Sequence, residues 1–261
     1  MKKPILLAIF YFATWLFILS ISAKAQAESS RSESSSQVNA SGNQSASGMN
    51  DSDADAAQKQ SVKRKKKIGI VIFPGFEALD VYGPVEVWGD FPDYEITTVS
   101  EHDRAVKSAQ GVATVATYSF EDAPQFDILM VPGGAGVRRE VSNPVMLNFL
   151  RNQNRRTEWT TSVCTGAALL AKAGILKGHR ATTNKIAFKW VASQDRDVLW
   201  QGHARWVVDG KYITSSGVSA GTDMAFALEE ILYGRAFAEH SARVDEYIWN
   251  DDPTNDPFAV N

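Results

Sequence analysis

The chain has 261 residues, a formal net charge of -3, 44% hydrophobic content and one cysteine. That length holds one large or two small domains with a substantial core. The mild acidity gives no electrostatic footprint for nucleic acid. A lone cysteine excludes an internal disulfide, and four scattered histidines without a CxxC pair leave no zinc spacing.

The first 27 residues read as an export signal peptide. Lys2-Lys3 precedes an uncharged apolar stretch over 4–23, and Ala25-Gln26-Ala27 is a small-x-small cleavage site. The stretch is long enough that an uncleaved membrane anchor is the alternative, and the only route to a membrane. Residues 28–65 form a Ser-rich linker whose composition cannot repay the entropy of folding, so it is expected to be disordered. It ends in the basic run Lys63-Arg64-Lys65-Lys66-Lys67, a solvated charge cluster. The folded domain is expected over 66–261.

Within it, Ile68-Gly69-Ile70-Val71-Ile72-Phe73 is a continuous apolar run, as in a strand buried on both faces, and Pro74-Gly75 ends it. Over 76–88 the apolar spacing is helical but broken by Gly83-Pro84, which predicts one turn and then a helix from Pro84. Strands follow at 94–100 and 126–131, with a small β excursion at 112–117. Asn143-Pro144 opens an amphipathic helix to Arg155, and 159–163 is the next strand. Helices are predicted over 185–192, 219–232 and 237–249, and Asp209-Gly210 between β-prone residues marks a hairpin. Strands alternating with helices give an α/β domain on a mostly parallel sheet.

Cys164 falls between the β-prone run 159–163 and the helix formers Ala167-Ala168-Leu169-Leu170, at a strand-to-helix turn. Flanking small residues and Gly166 permit a nucleophile elbow, and a helix N-terminus is expected to lower the thiol pKa. The plain alternative is a buried cysteine acting as a small hydrophobe. Asp80 lies just past the carboxyl end of the first strand, where ligands collect in open α/β sheets, or else caps the following helix. Gly133, Gly134 and Ala135, in Pro132-Gly133-Gly134-Ala135-Gly136, offer backbone amides as oxyanion donors or make a tight turn. Asp223 is either a ligand group or, more simply, an acid at a helix start. The tryptophans read as core packing.

Five ordered motifs, Leu79-Asp80-Val81-Tyr82-Gly83-Pro84, Val131-Pro132-Gly133-Gly134-Ala135-Gly136, Ser162-Val163-Cys164-Thr165-Gly166, Arg180-Ala181-Thr182-Thr183 and Ser216-Gly217-Val218-Ser219-Ala220-Gly221-Thr222-Asp223, resemble the ThiJ/PfpI superfamily, class I glutamine-amidotransferase-like, in its isonitrile hydratase branch. The tail Asp252-Pro253-Thr254-Asn255-Asp256-Pro257-Phe258 extends the likeness. The resemblance implies a flavodoxin-like three-layer α/β sandwich with a cysteine elbow, working as a homodimer without a cofactor on a small-molecule isonitrile. It implies Cys164 as nucleophile, Asp80 as acid/base, Thr165 as an assisting residue, and amide donors near Gly134 and Thr165. Protease-like members carry His after the cysteine, where this chain has Thr165, and several members carry His where it has Asn184. A glyoxalase-like enzyme of small electrophiles, or a ligand or redox sensor, are the other functions such a scaffold allows.

Overall fold

The computed structural model describes residues 64–102 and 105–260. The expected signal peptide or anchor and nearly all of the linker lie outside them. No helix among the described residues is long and apolar enough to cross a membrane.

The central strand is β1 (Lys66–Val71), in which Ile68, Ile70 and Val71 are fully buried. It pairs in parallel with β2 (Tyr94–Ser100) on one side and β6 (Ile128–Val131) on the other. Beyond β6 lie β7 (Trp159–Ser162) and then β11 (Tyr212–Ser215), both parallel, with β10 (Trp206–Asp209) antiparallel at one edge and β5 (Tyr118–Ser119) at the other. The seven-stranded order is β10-β11-β7-β6-β1-β2-β5. Four wholly apolar residues in β6 fit a strand covered on both faces. Two small ribbons stand apart, β3 (Ala105–Lys107) with β4 (Ala113–Val115), and β8 (Arg180–Ala181) with β9 (Leu199–Trp200).

Helices make two packed groups. α1 (Ala78–Trp88) lies on α6 (Ala220–Tyr233), which also meets α7 (Arg235–Val244). The second group is α2 (Val137–Glu140), α3 (Pro144–Asn154), α4 (Gly166–Lys172) and α5 (Phe188–Ala192), with α4 against β6 and β7. Asn143 caps α3, accepting from the N–H groups of Val145 and Met146 at 3.0 and 3.4 Å, with Pro144 in the first turn where its missing donor costs nothing. The predicted hairpin is the β10–β11 pair, with Gly210 at φ +60° in its two-residue turn.

Three helix boundaries differ from the expectation. α1 starts at Ala78 and runs through Pro84: burial of Val81, Val87 and Trp88 outweighs the proline penalty, and Gly83 lets the helix approach α6, where a Cβ would stand 2.4 Å from Thr222 Oγ1. α5 starts only at Phe188, because Lys185 turns into the interior and Asn184 Oδ1 accepts from Ala187 N–H at 3.0 Å, three residues ahead of the helical turn. α7 stops at Val244, and Trp249 leaves it to donate its indole N–H to Asp223 C=O at 3.1 Å.

Two buried ion pairs fasten the segment after α7. Asp223, in the first turn of α6, pairs with Arg205 and accepts from Tyr247 O–H and Asn250 N–H, both at 3.1 Å, so the helix-start acid is a structural anchor. Further on, Asp256 is a buried acid in an otherwise exposed tail, 3.5 Å from Lys185 Nζ. Lys185 also donates to Thr182 Oγ1 and Ala204 C=O at 2.7 and 2.6 Å. Burial lowers its pKa, against the pull of Asp256. Removing one partner of a buried pair leaves an uncompensated charge. Lys185→Met is therefore expected to cost about 3 kcal/mol in urea unfolding, with most of the loss recovered in Lys185→Met/Asp256→Asn; additive single losses would mean the two groups are not coupled.

Candidate active site

The elbow is assembled at the carboxyl edge of the sheet. Val163 N–H still follows the sheet, donating to Val131 C=O at 3.1 Å, and then the backbone turns sharply. Cys164 has φ +55°, the left-handed region that costs a residue with a Cβ roughly 1–2 kcal/mol. Two hydrogen bonds hold it there: Cys164 N–H donates to Ser216 C=O at 3.1 Å, and Thr183 Oγ1 donates to Cys164 C=O at 2.7 Å. Gly166 N–H closes the turn on Val163 C=O at 3.0 Å, and a Cβ at Gly166 would lie 2.1 Å from Val131 C=O. Thr183 and Ser216 belong to motifs that only the resemblance singled out; their bonds to the elbow backbone join segments distant in sequence and leave no local signal.

Asp80 is the third residue of α1, not its cap, and is fully buried. Its Oδ2 accepts from Gly133 N–H at 2.8 Å, and its Oδ1 has no hydrogen-bond partner among the described residues. The carboxyl lies against the Cys164 thiol closely enough that each alters the other's proton affinity. The strands that deliver them are not neighbours: β6 runs between β1 and β7. The two side chains meet across the loop that follows β6. Gly133 makes that meeting feasible, since a Cβ there would stand 2.6 Å from both Thr165 N and Thr165 Oγ1 and 2.9 Å from Asp80 Oδ2.

The loop amides are engaged by the site itself. Gly133 N–H holds Asp80, and Gly134 N–H donates to Thr165 Oγ1 at 3.1 Å. Accepting that bond orients the Thr165 hydroxyl to donate to the Cys164 sulfur, which the Thr165 N–H also faces. Ala135 is exposed. Anion stabilisation at the sulfur therefore centres on Thr165, with Gly133 and Gly134 fixing the groups around it. Asn184 lies against Gly217, where a Cβ would be 2.1 Å from its Nδ2.

Burial decides the proton affinities. Asp80 is raised from its ordinary 3.8 to about 8, chiefly by burial and in part by the charge of Glu77, against the Gly133 hydrogen bond and the thiol contact. Cys164 is also pushed up, by burial first and then by Asp80, with Thr165 opposing. The helix-end argument predicted a lowered thiol pKa; the shift runs the other way because Cys164 is only 6% exposed and lies against an acid. At neutral pH the pair therefore holds both protons, and the first to leave comes from Asp80, leaving a carboxylate beside the thiol.

The model of the DJ-1/PfpI family matches residues 66–231. The isonitrile hydratase of Pseudomonas putida is 36% identical over 168 residues, 64% of this chain and 72% of that protein. The HTH-type transcriptional regulator GbdR of Pseudomonas aeruginosa is 31% identical over 160 residues, but these are only 40% of its length. Among solved structures, a THiJ/PfpI family protein from Pseudomonas syringae superposes with a TM-score of 0.67 at 29% identity, covering 80% of this chain and 85% of that one. With its fold, its left-handed cysteine elbow and the family match over most of the described residues, the chain belongs to the DJ-1/PfpI family and carries a cysteine-based active site.

Proposed function

We propose that the protein hydrates isonitriles to N-substituted formamides, with Cys164 as nucleophile and Asp80 as the proton carrier. The observation that carries this reading is the buried Asp80 carboxyl, pinned through one oxygen by Gly133 and left with the other unpartnered beside the thiol. The likeness to the Pseudomonas putida isonitrile hydratase supports it.

An isonitrile carbon accepts both a proton and a nucleophile, and a thiol beside a carboxylate that can take and relay its proton supplies both. In the singly protonated pair the proton rests on sulfur; the Asp80 carboxylate takes it as the sulfur bonds to the isonitrile carbon and passes it to that carbon, giving a thioimidate and an Asp80 carboxylate. The carboxylate takes a proton from water as the oxygen adds to that carbon, and returns it to the nitrogen. Asp80 then accepts the hydroxyl proton of the tetrahedral adduct as the carbon–sulfur bond breaks. The formamide leaves, and the proton on Asp80 returns to the sulfur, restoring the thiol and the carboxylate. Thr165 N–H and hydroxyl stabilise the sulfur as charge leaves and returns to it.

The raised thiol pKa weighs against a sensor that oxidises spontaneously, because oxidation follows thiolate character and exposure. The direct test is formamide production from cyclohexyl and aryl isonitriles by the purified protein; no turnover with a chemically intact Cys164 would sink the reading. We place the reaction outside the cytoplasm, in a homodimer, on the leader-like residues 1–27 and the family resemblance. A mature N-terminus at Glu28 is the expected result by mass spectrometry, and an intact Met1 would point to the anchor instead.

A further inference from the structure

A third acid lies by the Cys164–Asp80 pair and has no part in the chemistry above. Glu77 immediately precedes α1, and its main chain is built into the site: Glu77 N–H donates to Gly133 C=O at 2.9 Å, and the N–H of the same glycine holds Asp80 Oδ2 at 2.8 Å. A Cβ at Gly134, whose own N–H donates to Thr165 Oγ1, would lie 2.5 Å from Glu77 N. Glu77 is half-buried, whereas Asp80 and Cys164 are buried, so it lies on the solvent side of the pair while its charge reaches both. Among the described residues, the charges that bear on the thiol are those of Asp80 and Glu77, and both are negative.

The carboxyl is held there from outside the helix. Glu77 occupies the cap position of α1, but its side chain makes no capping bond; Gln110 Oε1 accepts from the first helical N–H, that of Ala78, at 3.0 Å. Gln110 Nε2 also donates to Glu77 Oε1 at 2.6 Å. Gln110 lies in the turn that joins β3 to β4, and Gly75 N–H to Lys107 C=O at 2.8 Å and Ala109 N–H to Phe76 C=O at 2.7 Å fasten that turn to the same stretch. The ribbon therefore caps the helix and, with the same side chain, fixes the acid beside it. A like charge disfavours the anion that the thiol and carboxyl must form, so the proposed chemistry gains nothing from this placement. What the carboxylate acts on usefully is a molecule approaching the sulfur.

We propose that Glu77, positioned by Gln110, is a specificity-determining residue that sorts electrophiles by charge, admitting neutral and cationic isonitriles to Cys164 and turning away those whose substituent carries an anion. For the isonitrile the inference rests on the proposed reaction; for the charge rule it does not. The apolar surroundings of the buried pair leave the field of Glu77 less screened than on an open surface, and an anion nearing the sulfur meets it while a neutral molecule does not. One like charge so placed slows the anion by about fivefold.

The test compares alkylation of Cys164 by neutral iodoacetamide with that by anionic iodoacetate, in the full-length parent and in Glu77→Gln. With either reagent the sulfur bonds to the methylene carbon as iodide leaves, so a change in thiol ionisation alters both rates alike and cancels in their ratio. The parent's preference for iodoacetamide is expected to fall by about fivefold in the variant. An unchanged ratio overturns the proposal and leaves Glu77 as an acid at a helix start. Gln110→Ala keeps the charge and frees the side chain that bears it, and is expected to lose part of the preference; a ratio equal to the parent's removes Gln110 from the assignment. In turnover, the kcat/KM ratio of methyl isocyanoacetate to isocyanoacetate is expected to fall by the same factor in Glu77→Gln, and a constant ratio overturns the charge rule for isonitriles. Should the parent turn over neither compound, the reaction falls and the alkylation ratio alone judges Glu77.

Discussion

Cys164→Ala is expected to lower isonitrile turnover by at least about a thousandfold, to the background rate, with the fold intact. No other thiol exists in the chain to take over the bond to carbon. Alanine keeps the Cβ, so the left-handed backbone cost at φ +55° is the same in both proteins. The hydrogen bonds that hold the elbow run through main-chain atoms of residue 164, to Ser216 and from Thr183, and survive the change. Turnover and thermal unfolding measured on one preparation therefore separate chemistry from folding. A variant that retains more than a few per cent of parent activity would show that the thioimidate is not an intermediate.

Asp80→Asn moves activity and stability in opposite directions. Loss of the proton carrier is expected to cut kcat/KM by about 10²–10⁴-fold. In the parent, the reactive form is the singly protonated pair, and the first proton leaves with a pKa near the value of about 8 at Asp80. Parent kcat/KM is therefore expected to rise about tenfold per pH unit below 8 and then level off, and this limb disappears in the variant. A parent profile that is flat or falling between pH 6 and 8 would exclude the singly protonated pair. Stability follows the same raised pKa with the opposite consequence. Below its ordinary 3.8 the carboxyl is neutral folded or unfolded, and costs nothing. As pH rises from there to about 8, the unfolded chain gains a hydrated carboxylate that the folded one cannot match, so the native state loses ground. Asparagine has no such penalty and can still accept from Gly133 N–H. The melting temperature of Asp80→Asn is expected to exceed the parent's, by a margin that widens between pH 5 and pH 8. A simple helix cap at this position would give the reverse.

The elements that the sequence made legible share one property: their signals are local. The apolar runs at β1 and β6, Asn143-Pro144 opening α3 and Asp209-Gly210 in the hairpin each state their own conformation. The sole cysteine between a β-prone run and Gly166 marked the elbow in the same way. What escaped depends on strand order and burial. Asp80 and Cys164 meet across β6 because Gly133 lacks a side chain, and no spacing along the chain encodes that. The thiol pKa went the wrong way because a helix end can be read from sequence while an acid packed against the sulfur cannot. Pro84 reads as a helix start and stands inside one, since packing against α6 repays the missing bond. Lys185, a charged residue in a segment that looked helical, turns inward for Asp256, a partner far along the chain.

The order β10-β11-β7-β6-β1-β2-β5 also governs when the protein becomes active. Asp80 follows β1, Gly133 follows β6, Cys164 follows β7, and Ser216 follows β11. Each is inert until its strand has docked beside partners that lie far away in the sequence. Such pairings close long loops before they return any contact energy, so they form late and slowly. A half-built sheet holds no half-strength site: it holds a thiol without its carboxyl, or a carboxyl without its thiol. During refolding, catalysis is expected to return only with the last of these crossovers.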